Sequence, residues 1–150
     1  MLNNVLENWD KKFLDLASFI KKWSKDKSTQ TSAVIIDPES NAILSIGYNG
    51  FPRGVDDSIN ERYERSVKYK YTEHAERNSI YNAARNGIKL RGSVMYIEWY
   101  PCCDCARAII QSGVSTIFCS KPNFEDERWG EDFKITQVLF EESGVQVNYI

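Results

Sequence analysis

The chain of 150 residues carries 19 Lys+Arg against 21 Asp+Glu, one His and four Cys, for a formal net charge of −2. That length buries a core without staples, and 42% hydrophobic with 27% charged residues excludes a disordered or collagen-like chain. No apolar run approaches the ~18 residues of a membrane span, the opening residues do not read as a secretory signal, and a pI of about 5.5 argues against a constitutive nucleic-acid binder.

Trp9, Phe13, Leu16, Ala17, Ile20 and Trp23 recur at helical spacing with lysines between them, which predicts an amphipathic helix within residues 1–25. Polar residues 24–32 read as a loop. Two strand-like runs follow, 33–37 and 42–48, joined by a hairpin connection at Pro38-Glu39-Ser40-Asn41. Residues 49–70, with Gly50, Pro52 and Gly54, read as a long functional loop, since one of that length is uncommon inside a compact domain. A helix is predicted over 74–86, ending at Asn86-Gly87, and a strand over 93–99, broken by Pro101. Beyond it come a helix over 103–112 that stops at Gly113, a short strand over 114–119, a helix over 131–143 that stops at Gly144, and a last strand over 145–150. Helices alternating with strands in the second half imply parallel pairing through right-handed crossovers. The expectation is one α/β domain over residues 1–150, in three α/β/α layers around a five-stranded mixed sheet.

Three of the four cysteines crowd together at Cys102, Cys103 and Cys105. A disulfide framework would spread them out, so the clustering points to a reducing cytosol and to thiolate chemistry or metal binding. Cys102 and Cys105 lie one helical turn apart at the start of a predicted helix, where unpaired N–H groups favour thiolate. His74, the only imidazole, begins another helix. One imidazole with two thiolates suits zinc, and three protein ligands leave a fourth position open for chemistry. Cys103 points about 100° away from Cys102 on a helix and reads as packed; Cys119 reads as a small core residue.

His74-Ala75-Glu76 followed by Pro101-Cys102-Cys103-Asp104-Cys105 matches the H-x-E…P-C-x-x-C signature of zinc-dependent nucleobase deaminases. In that chemistry zinc acidifies a water for attack at C4 of a cytosine-type ring. Glu76 would take the proton, deliver it to ring N3, and later protonate the departing amine. Apart from the metal pattern, Glu76 would be a favourable charge near a helix start.

The chain also resembles the deoxycytidylate (dCMP) deaminases within the cytidine deaminase superfamily. The resemblance runs over about residues 30–145 and rests on Gly47-Tyr48-Asn49-Gly50-Phe51-Pro52-Arg53-Gly54, Lys68-Tyr69, Tyr71, His74-Ala75-Glu76-Arg77-Asn78 and Pro101–Ala106. It implies that His74, Cys102 and Cys105 hold one catalytic Zn²⁺ and that Glu76 is the proton shuttle. Asn49 would bond the sugar and the backbone at Ala75 would meet the pyrimidine edge. The family's regulatory site, where dCTP activates and dTTP inhibits with Mg²⁺, would comprise Gly50, Phe51, Pro52, Arg53 and Gly54; a Gly/Pro turn ending a strand is the alternative. Arg85 is counted with the substrate-binding candidates, because the family can carry an arginine there near a subunit contact; a surface arginine at a helix end is the other reading. A homo-oligomer, a hexamer by resemblance, is implied.

Three departures stand out. A second, structural zinc has no spare His or Cys cluster to bind it. The tyrosine that the family places after the fourth strand to stack on the base is missing, so Phe124 is the nearest aromatic, with Tyr100 and Trp129 as alternatives. Glu73, directly before His74, is second-shell to the metal or solvated. The reading is a cytoplasmic enzyme converting dCMP to dUMP, with dCTP and dTTP as effectors and no nucleic-acid or membrane partner. Deamination of deoxycytidine or CMP is the alternative. Nucleic-acid editing ranks lower because residues 121–150 hold seven acids against three bases. A non-catalytic zinc or nucleotide-sensing module also ranks lower, since it would not need Glu76.

Overall fold

The computed structural model describes residues 8–150; the first seven residues of the opening helix segment lie outside the described residues. Helix α1 (Asn8–Ile20) is followed by a 3-10 turn over 21–23. Strands β1 (Ser32–Ile36), β2 (Ile43–Tyr48), β3 (Val94–Ile97), β4 (Thr116–Cys119) and β5 (Gln146–Tyr149) form one sheet in the order β2-β1-β3-β4-β5. β1 pairs antiparallel with both β2 and β3, while β3–β4 and β4–β5 are parallel. The sheet is therefore mixed and five-stranded, as the alternation of elements predicts. At the hairpin between β1 and β2, Asn41 takes φ 58°, a left-handed conformation that asparagine tolerates.

Strand alternation sorts the core into two. Val34, Ile36, Val94 and Tyr96 face α1, where Phe13, Ala17 and Ile20 cover them. Ala33, Ile35, Met95, Ile97 and Ile117 point the other way, into a larger core closed by α3 (Ala75–Arg85), α4 (Cys103–Ser112) and α5 (Gly130–Ser143). This gives the three layers expected. The second core matters for function because α3 and α4, whose first turns carry the chemical motifs, both pack on that face.

One prediction fails. Residues 49–70 are not a continuous loop, because a 3-10 turn over 60–63 is followed by α2 (Arg65–Tyr71). The seven-residue sequence RSVKYKY has too few apolar positions to show a helical stripe. What stabilises it is tertiary: Lys68 is buried, and its ammonium meets Asp26 Oδ2 at 2.8 Å and Ser28 Oγ at 2.7 Å. Periodicity in the segment alone cannot reveal a helix fixed by a buried ion pair.

Candidate metal centre and active site

The first turn of α3 is seated by a close backbone approach. A Cβ on Gly47 would fall 2.4 Å from Ser79 N and 2.6 Å from the Ala75 carbonyl, so only glycine lets β2 pass against α3 there. Ser45 Oγ donates to the Ser79 carbonyl at 2.7 Å, and Asn78 and Asn82 donate to the β2 carbonyls of Tyr48 and Ile46. The helix start, and with it His74 and Glu76, is held against the sheet edge.

His74 occupies the N-cap position of α3 and Cys102 that of α4, and neither caps its helix through its side chain. Instead both side chains converge with Cys105. His74 Nδ1 lies 3.6 Å from Cys102 Sγ and 3.5 Å from Cys105 Sγ, with the three donor atoms all within 4.8 Å of one another. Tetrahedral zinc with ordinary Zn–N and Zn–S bonds puts N and S about 3.6 Å apart. The donor set and its spacing thus fit zinc. Cys103 stands outside the group, half-buried and bonded to Asp132 instead of packed in the core, whereas Cys119 is fully buried there as expected.

The electrostatics of the donor group are coupled. The Cys105 thiol's hydrogen bond, with help from His74, pulls Cys102 toward thiolate against the cost of burial. The same contact and burial push Cys105 up. The hydrogen bond with Cys102 raises His74 although burial opposes it. Burial would depress the Arg77 guanidinium, yet Cys105, 3.6 Å from its Nη1, and Glu73, bonded to its Nε, hold it above its ordinary value. Glu73 also accepts the His74 backbone N–H at 3.2 Å, so its carboxylate is tied to both the start of α3 and Arg77.

His74, Cys102 and Glu76 line one cavity of about 500 Å³, in the size range of small-ligand sites. Burial pushes the Glu76 carboxyl up, the direction that lets a carboxyl carry a proton near neutral pH. Asn49 lines the cavity with its amide already bracketing the preceding loop: Oδ1 accepts from Thr31 N at 2.9 Å and Nδ2 donates to the Thr29 carbonyl at 2.8 Å. Each end keeps capacity for one more bond. Ala75 is fully buried beneath the helix start and its side chain does not reach the cavity.

The aromatic candidates separate. Tyr100 lines the cavity but is buried edge-on against Phe133 and Phe140. Trp129 lines it too, whereas Phe124 does not; the Phe124 carbonyl lies against Gly130, where a Cβ would come within 2.3 Å. Arg85 is also displaced from its expected group. It lines a second, open groove of about 430 Å³ with Gly50, Phe51, Pro52 and Arg53, the other side of α3 from the cavity. Gly54 is not among the residues lining that groove.

Several cavity residues escaped the sequence reading. Trp99, Lys121 and Arg128 line the cavity, and Arg128 lies over the rings of Tyr69 and Trp129 at 4.6 and 4.9 Å. None of them belongs to a spaced motif. Arg77 could have been found, because Glu73 and Arg77 are an i,i+4 pair flanking the His ligand.

Fold and donor set together define a zinc-dependent deaminase. The chain belongs to the cytidine and deoxycytidylate deaminase family, whose zinc-binding region matches residues 7–121. It is 40% identical over 148 residues to an Aliivibrio fischeri protein described as an uncharacterized deaminase in the luxG 3' region, covering 97% of this chain and 96% of that one. It is 34% identical to the deoxycytidylate deaminase of Mus musculus, covering 91% and 76% respectively. Among solved structures, the dCMP deaminase of cyanophage S-TIM5 in complex with dCMP and dUMP shares the fold, with a TM-score of 0.75 at 22% identity over 97% of this chain and 99% of that one.

Proposed function

We propose that the chain hydrolytically deaminates dCMP to dUMP and ammonia. The observation that carries this reading is the meeting of His74, Cys102 and Cys105 at one point, with Glu76 on the wall of the same cavity, in a chain similar to deoxycytidylate deaminases. Bound by these three residues, zinc supplies Lewis acidity that brings the pKa of a water toward neutrality. Glu76 is the proton carrier: it takes a proton from the attacking water and gives it to ring N3. It then takes the remaining proton of the new C4 hydroxyl and passes it to the amino group, which leaves as ammonia as the C4 carbonyl forms and the C–N bond breaks. Asn49 orients the sugar with its spare hydrogen-bonding capacity, and Trp99, an exposed ring on the cavity wall, stacks on the base. Lys121 and Arg128 at the wall supply positive charge for a 5′-phosphate, which favours a nucleotide over a nucleoside.

The second groove, with exposed Arg53 and Arg85, is the regulatory site of this reading, where dCTP activates and dTTP inhibits with Mg²⁺. A homo-oligomer, hexameric by family, is supported by the exposed aromatic string Phe19–Trp23–Tyr48 beside edge strand β2. Among the described residues no helix is long and apolar enough to cross a membrane, and a reducing cytoplasm suits four free cysteines. The test is ammonia release from dCMP, CMP, deoxycytidine and single-stranded DNA, each with and without dCTP or dTTP plus Mg²⁺. Turnover is expected for dCMP first, rising with dCTP and falling with dTTP. A preference for deoxycytidine or DNA overturns the substrate, and a flat response to both triphosphates overturns the regulatory reading.

A further inference from the structure

A helix normally closes its first-turn N–H groups with an N-cap side-chain oxygen. Cys102 is the N-cap of α4 and makes no such bond, its sulfur being drawn into the His74–Cys105 group. The acceptor comes from another helix. Asp132 of α5 accepts the Cys103 N–H on Oδ2 at 2.6 Å and the Cys103 thiol on Oδ1 at 2.9 Å. One turn further along α5, Thr136 is fully buried and its hydroxyl donates to the Pro101 carbonyl at 3.1 Å. The residues before and after Cys102 are both pinned, by side chains at i and i+4 of a single helix face.

We propose that Asp132 and Thr136 are positioning residues for the metal site, fixing the Pro101–Cys103 turn so that Cys102 and Cys105 hold zinc tightly. This rests on the reading of His74, Cys102 and Cys105 as zinc ligands. The clamp is separable from the anchoring of α5, which Phe140 secures in the core further along the helix. Both clamp residues lie far from the ligands in sequence, 29 residues from Cys103 to Asp132 and 35 from Pro101 to Thr136, so no motif contains them.

The test uses the zinc-loaded protein and the variants Asp132→Ala, Asp132→Asn, Thr136→Val and Thr136→Ser, with Gln137→Ala on the exposed face of α5 as control. Two quantities are read beside thermal stability: the rate of zinc loss to a chromophoric chelator, and the thiolate-to-metal absorption of the Co²⁺-substituted protein. Metal affinity is expected to fall about 10–100-fold in Asp132→Ala and Thr136→Val, as for other outer-shell partners of metal ligands. Zinc loss accelerates and the cobalt band shifts in step. Thr136→Ser restores the hydroxyl and returns both readouts to the parent's, Asp132→Asn falls between parent and alanine, and Gln137→Ala changes neither. Thr136→Val nearly preserves shape, so it carries the test if Asp132→Ala fails to fold. Parent-like zinc loss and cobalt spectra in Asp132→Asn and Thr136→Val overturn the clamp alone. So does a Thr136→Ser variant as impaired as Thr136→Val. A parent that takes up neither zinc nor cobalt overturns the ligand reading, and the clamp with it.

Discussion

The two concavities of this molecule share a wall, the start of α3, and differ in almost everything else. The cavity has its polar groups fixed before any ligand arrives: His74 against two sulfurs, Lys68 against Asp26, Asn49 against the backbone of Thr29 and Thr31. The groove is edged by an exposed loop and by Arg85, which makes no ion pair among the described residues. Preorganised, partly desolvated groups favour chemistry, where charge must be met without rearrangement. An exposed cation held by no ion pair, as Arg85 is among the described residues, favours reversible capture of an anion, whose binding can order it. The start of α3 thus borders a preorganised cavity on one side and a more exposed groove on the other.

The contrast breaks most sharply at Glu76. Glu76→Gln keeps the size of the side chain and removes its proton chemistry, so turnover of dCMP should fall about 10²–10⁴-fold, with zinc content and thermal stability near the parent's. A variant with normal turnover would move the proton carrier elsewhere and leave the cavity without its defining group. Ammonia release and metal analysis on the same sample decide it.

Rigidity of the cavity wall is tested next at Lys68. Lys68→Met leaves Asp26 buried without its cation, a change that typically costs 3–5 kcal/mol, measurable by urea unfolding. Burial tends to raise the Asp26 carboxyl, but the Lys68 ammonium, Ser28 and Thr29 outweigh it and hold the group below its ordinary value. A carboxylate depressed in the folded state stabilises the protein above its unfolded pKa and loses that contribution as pH falls through the folded one. The gap between parent and variant should therefore be widest above about pH 5 and narrow on acidification. A gap independent of pH would mean that the pair contributes packing and not charge.

A smaller effect is expected at the cavity wall. Arg128 lies over Tyr69 and Trp129, and hydrogen bonds to a charged group are worth about 1.5–3 kcal/mol. Arg128→Ala should then raise KM for dCMP by about 10–100-fold and leave deoxycytidine, which has no phosphate, unchanged. Equal losses on both substrates would show that the arginine props the aromatic wall and does not read the phosphate.

Much of this was legible in the sequence, and the pattern of what was not is physical. Elements with a clear period and a stop signal, such as α4 ending at Gly113, came through nearly to the residue. His74, Cys102 and Cys105, two sulfurs one turn apart and a lone imidazole, do meet at one point in the fold. α2 was missed because its stability comes from Asp26, 42 residues away from Lys68. Asp132 and Thr136 were missed for the same reason, since long-range contacts leave no local period. Phe124 is the aromatic nearest in sequence, yet Trp99 and Trp129, not Phe124, line the cavity.

The subtlest test asks whether the two concavities communicate. Gly50 and Glu73 form an isolated antiparallel bridge, N–H to carbonyl in both directions at 3.1 and 2.8 Å. Glu73 also lines the groove, accepts the His74 N–H, and holds Arg77 against Cys105. A ligand that orders the Gly50–Arg53 loop thus bears on the residue next to the metal ligand. Glu73→Gln leaves the backbone bridge intact and weakens the hold on Arg77. On the proposed regulation, any shift in KM that dCTP or dTTP produces should then shrink by about 0.5–2 kcal/mol of coupling, with zinc content unchanged. Substitution of Arg53 should weaken effector binding itself and leave the remaining response of saturated enzyme intact. If Glu73→Gln responds to saturating effector as the parent does, the groove acts through some other element, and the shared wall is only a neighbour to both sites.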